Sequence, residues 1–212
     1  MVLEQVVETV DVAAWWEAQL DASHEVRRRA GETLGPRGWT AAAATALAPW
    51  TTSVHVPYAY HDYRPYGSSR TVHEVNGDDG YVRFAGLGAD VAAHLLTLLD
   101  EPQLAVRQGD GPTLGGLLRA AVAHPGVVEV YGHVVGPRAA GERVVAEGAF
   151  LYALPGLQVP EWPHDGPCEC TVLWTAARER YGVDDALGMP QELQRSANRW
   201  RPGELCWRLG WE

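Results

Sequence analysis

The chain has 212 residues, 46% of them hydrophobic, and its 17 basic and 27 acidic side chains give a formal charge of -10. A chain of that length buries roughly 70% of its unfolded surface, so it needs no disulfide or metal to hold a core and fits one domain better than two. The acidic balance argues against nonspecific nucleic-acid binding, which depends on cations displacing counterions along phosphates, and no run approaches the roughly 18 apolar residues of a membrane span.

In chain order, residues 1–50 read as a helical segment. Asp11 is placed as the N-cap of a helix that ends near Gly31, and an alanine-rich helix over 40–47 stops before Pro49. Residues 51–154 read as a central sheet with two helices. A strand-like aromatic stretch follows residue 51 and is broken by Pro57, and two short strands over 70–75 and 81–85 flank a glycine-rich hairpin loop. Helical spacing of Val91, Leu95, Leu98 and Leu99 predicts a helix over 89–99, with His94 partly buried on its stripe, and a second helix begins at Pro112 and stops at His124. Strands over 127–135 and 143–154 are joined as a hairpin.

Four prolines between Pro155 and Pro167 mark an extended connector over 155–170. Residues 171–212 form a Trp/Arg-rich C-terminal segment. It opens with a helix over 171–181 that Gly182 stops, and it closes with a strand that alternates Leu205, Trp207, Leu209 and Trp211 against Cys206, Arg208 and Gly210. Seven of the eight tyrosines lie between residues 51 and 161, whereas the nine tryptophans lie outside 51–161. The expected fold is therefore α+β: a mostly antiparallel sheet with helices packed on one face and the Trp-rich terminal segments docked on it.

Lysine and isoleucine are absent, which matches the codon bias of a high-GC bacterial source. Without an ammonium side chain there is no Schiff-base lysine and no P-loop lysine, so pyridoxal enzymes, class I aldolases and Walker-type NTPases are excluded. No basic segment followed by an apolar stretch opens the chain, and a cytoplasmic location is expected. In that compartment the three cysteines are expected as thiols or metal ligands rather than as a bridge.

Three clusters carry chemistry. His164, Cys168 and Cys170, with Cys206 on the polar side of the last strand, offer a zinc-type donor set that would tie tail to body, although the spacing departs from the usual Cys-x2-Cys pair. His55, His61, Asp62 and His73 bring imidazoles beside a carboxylate and among Tyr58, Tyr60 and Tyr63, which suits general acid/base chemistry or metal binding. Gly86-Leu87-Gly88 follows a strand and opens a helix, as in dinucleotide folds, but Val91 occupies the third glycine position and antiparallel hairpins surround it. In the tail, Arg199, Trp200, Trp207 and Arg208 can stack guanidinium on indole to recognise a partner.

The expected function is a binding or assembly protein acting through these aromatic and arginine-rich surfaces, on a protein partner or a small molecule, with homo-oligomerisation open. The alternative is a small-molecule enzyme using the His55/His61/Asp62/His73 region, with zinc as the one cofactor in view. No constellation shows nucleophile, base and orienting group together.

Overall fold

A computed structural model describes residues 11–55, 81–136, 141–160 and 168–212. Six strands, β1 (Thr51–His55), β2 (Tyr81–Leu87), β3 (Val128–Val135), β4 (Arg143–Leu151), β5 (Glu192–Ala197) and β6 (Leu205–Gly210), form one sheet in the order β1-β2-β3-β4-β6-β5. Every neighbouring pair is antiparallel. Helices α1 (Val12–Arg29), α2 (Thr40–Leu47), α3 (Ala89–Leu98), α4 (Glu101–Leu104), α5 (Leu114–Ala123) and α6 (Cys170–Tyr181) complete an α+β fold. Among the described residues no helix is long and apolar enough to cross a membrane.

Local chemistry sets the helix ends. Asp11 accepts from the Ala14 N–H at 3.2 Å and Thr113 from the Gly116 N–H at 2.9 Å, so α1 and α5 each begin on a side-chain cap. Gly182 takes a left-handed φ of 73° and ends α6. Helix α2 is capped from 102 residues away: Glu142 accepts from the Gly38 N–H at 2.6 Å and from the Thr40 N–H at 3.3 Å and hydroxyl at 3.1 Å. Glu142 precedes β4 and is buried, so its carboxylate both satisfies the helix N-terminus and pins α2 to the β3–β4 hairpin.

The core lies between α2, α3, α5 and α6 and one face of the sheet. It joins Ala43, Leu95, Leu117 and Leu173 to Phe84, Val130, Ala149, Trp207 and Leu209. Strand β6 buries Trp207 and Leu209 on this side and turns Cys206 and Arg208 to the other, the alternation read in its sequence. The C-terminal segment does more than cover the sheet. Its β6 pairs directly with β4, and β5 extends the sheet beyond it.

Two details depart from the sequence reading. His94 is exposed, because Ala92, Leu95 and Leu99 rather than the Val91 side of α3 turn inward. Trp207 and Trp211 pack in the core and Trp39, Trp50 and Trp174 pack against it, but Trp15 and Trp16 on α1 remain 48% and 56% exposed. Gly86 has φ +76° within a register shift of β2, where a Cβ would stand 2.6 Å from the Trp200 indole nitrogen. The glycine serves a bulge under an indole in an antiparallel strand, and the parallel unit of a dinucleotide fold is not built around it.

Candidate functional site

The sheet face opposite the helices carries most of the polar chemistry. Arg83 on β2, Tyr131 and His133 on β3, Glu147 on β4, Arg208 on β6 and Glu192 and Gln194 on β5 share it through strand alternation and register. A bulge assembles the set. Tyr131 pairs with Gly148 and Gly132 with Ala146, so Glu147 is an extra residue in β4. That extra residue lets Glu147 and Phe150, three apart, face the same side, which strict alternation forbids.

Tyr131 lies flat across the sheet because two paired glycines leave it room. A Cβ on Gly148 or on Gly210 would stand 2.6 Å from the Tyr131 hydroxyl. That hydroxyl donates to the Leu209 carbonyl at 3.1 Å, and burial pushes its pKa up to about 12, against the opposing pull of Arg208. The Arg208 guanidinium sits 4.9 Å over the ring, and Glu192 holds it at 2.7 Å. Arg83 lies 3.9 Å from the Glu147 carboxylate, whose same oxygen meets His133 Nδ1 at 2.8 Å.

A groove of about 1280 Å³ opens over this cluster. It is lined by Arg83, Tyr131, Glu147 and Arg208 of this cluster, by the successive residues Met189 to Gln194, and by Cys170, Thr171 and Trp211. The groove thus borders the first half of β5, the outermost strand, and among the described residues no strand pairs with the outer edge of β5. Its lining mixes both charge signs with the amides of Gln108, Gln191 and Gln194. His133 does not line it, since its side chain is 5% exposed and its Nε2 is out of solvent.

A second network fills the other end of the same face. Glu129 accepts from the Trp200 indole at 2.9 Å and pairs with Arg201 at 2.9 Å, and Arg201 covers the Tyr152 ring at 4.1 Å. Asn198 donates to the Tyr152 hydroxyl at 2.9 Å and to Cys206 Sγ at 3.1 Å. Burial raises the Tyr152 pKa and pushes the Cys206 thiol up to about 11. Cys206 is therefore a protonated, enclosed thiol at neutral pH and no nucleophile.

The residues singled out in the sequence distribute unevenly. Arg208 reaches the groove, and Arg199 is exposed beyond β5. Trp200 is partly buried, edge-on to Phe150 at 5.3 Å, and Trp207 is 1% exposed in the core with Arg195 over its ring at 5.2 Å. The Trp207 indole therefore offers no contact surface. Tyr58, Tyr60, Tyr63, His61, Asp62, His73 and His164, and the side chain of His55, lie outside the described residues.

The four-ligand zinc arrangement is not built. Cys168 and Cys170 are joined to each other as a disulfide near the helix-side core, whereas Cys206 belongs to the cluster on the opposite face. Among the described residues no three His, Cys, Asp or Glu side chains are grouped to hold a metal. The bridge also departs from the thiols expected in the sequence.

Arg83, Tyr131, Glu147 and Glu192 escaped the sequence reading. Alternating Glu129, Tyr131 and His133 along β3 was the available signal, but the bulge at Glu147 hides its partner strand's pattern. No family model matches the chain, and neither a curated protein nor a solved structure matches it.

Proposed function

We propose that the protein is a binding module that receives an extended segment of a partner protein along β5 and over the sheet face opposite the helices. The observation that carries this reading is the groove running beside Met189 to Gln194 with carboxylates, guanidinium groups and amides along it. Its roughly 1280 Å³ exceeds the roughly 300–1,000 Å³ typical of small-molecule pockets. An outer strand beside such a groove suits strand addition, in which main-chain hydrogen bonds give affinity and alternate side-chain positions give specificity. Arg208 and Arg83 would meet acidic side chains of the segment, and Glu192 and Glu147 basic ones.

An enzymatic reading has less support at the groove. Tyr131 is tied to Leu209 and Arg208, His133 is buried, and Cys206 is enclosed. The His55/His61/Asp62/His73 alternative lies outside the described residues and remains a proposal without geometry.

Panning a random peptide library displayed on phage against the full chain, then measuring selected synthetic peptides by calorimetry, tests the reading. Peptides carrying both charge signs should bind, with affinity falling at least about tenfold in R208A, as expected for loss of a charge-assisted contact. Selected peptides that bind wild type and R208A/E147A equally would place recognition elsewhere.

A further inference from the structure

Cys168 and Cys170 are bonded with a single residue between them. A loop this short restricts the unfolded chain little, so such a bridge contributes little stability by the chain-entropy route. Its position favours reactivity instead. Cys170 is the first residue of the 12-residue helix α6, and Cys168 Sγ accepts the Cys170 backbone N–H at 3.1 Å. A thiolate released on Cys168 would be held by that N–H and by the positive end of the helix. Cys170, which is 9% exposed, and Thr171 line the groove, so the bond lies beside that space.

We propose that Cys168 and Cys170 are a redox-active thiol pair that exchanges with low-molecular-weight thiols entering the groove. The incoming thiolate attacks Cys170 Sγ, the Cys168–Cys170 bond breaks, and the electron pair leaves on Cys168, which the helix terminus stabilises. A second thiolate attacks the external sulfur of the mixed disulfide and frees Cys170. The net change reduces one protein disulfide to two thiols, and two small thiols are oxidised to one small disulfide. Cys206 takes no part, because it is buried on the other side of the sheet.

The test equilibrates the native full-length protein with mixtures of reduced and oxidised glutathione, quenches with acid and counts alkylated Cys168 and Cys170 by peptide mass spectrometry, with circular dichroism in parallel. The expected result is reversible, paired conversion, half complete at a glutathione ratio between those that balance disulfide isomerase and thioredoxin couples, with unchanged helix signal and Cys206 unlabelled. A bond that resists every ratio until denaturant is added, two thiols that alkylate even under oxidised glutathione alone, or loss of fold upon reduction would each overturn the proposal. The readout uses no groove ligand, so its failure leaves the peptide reading standing, and failure of peptide binding leaves this one standing.

Discussion

At the scale of single residues, the sheet face opposite the helices depends on glycine as much as on charge. Gly148 and Gly210 face each other across β4 and β6; a Cβ at either would meet the Tyr131 hydroxyl, and one at Gly148 would also run into the Leu209 backbone carbonyl. G148A should destabilise the protein by about 1–3 kcal/mol through overpacking, measured by urea unfolding, and should weaken groove binding because Arg208 rides on the displaced ring. Cys206 supplies a pH test. Burial raises its folded pKa from 9.0 to about 11, so the fold favours the neutral thiol. The stability this contributes is complete below about pH 9 and is lost as pH rises through about 11. C206S keeps a hydroxyl toward Asn198 and the Ser196 carbonyl but does not titrate there, and its unfolding free energy should decline less than wild type between those pH values. Parallel declines would contradict the assignment.

At the scale of elements, α2 is an 8-residue helix rich in alanine, too short to persist alone. What fixes it is packing of Ala43 and Leu47 together with the distant cap from Glu142. E142A should therefore cost about 1–3 kcal/mol in denaturant unfolding, since it leaves two backbone N–H groups and a hydroxyl without their acceptor. E142Q, which retains an acceptor oxygen, should recover part of that loss. Equal losses would mean that charge rather than hydrogen bonding is the controlling interaction. The helix over 40–47 was legible from alanine content and Pro49, but its cap was not, because no local pattern links positions 102 apart.

At the scale of the molecule, what was legible followed period and punctuation. The β3–β4 hairpin, α3, α5, α6 and the alternation of β6 each carry a hydrophobic repeat bounded by Gly, Pro or a polar loop, and each appears in the structure. Strand β5 did not, since Glu192-Leu193-Gln194-Arg195-Ser196-Ala197 presents one large apolar side chain and lies at the sheet edge, where burial imposes little pattern. The site was hidden for the same reason. It is assembled from five strands whose order, with β6 between β4 and β5, brings positions 83, 131, 147, 192 and 208 together only after folding. Tryptophan content led to the C-terminal segment being expected as a layer docked on the sheet, whereas its β5 and β6 are strands of that sheet; and Trp207, expected as a contact residue, is 1% exposed, because an indole on an alternating strand is committed to whichever face is buried.

If the proposed function holds, β5 and the face beside it are the surface that receives a partner. Amide hydrogen exchange across the whole chain, with and without a saturating panned peptide, tests this most directly. The amides of Glu192–Ala197 should become protected upon binding, together with those around Arg208 on β6. A bound peptide that leaves β5 exchanging at its free rate while protecting another surface would contradict it.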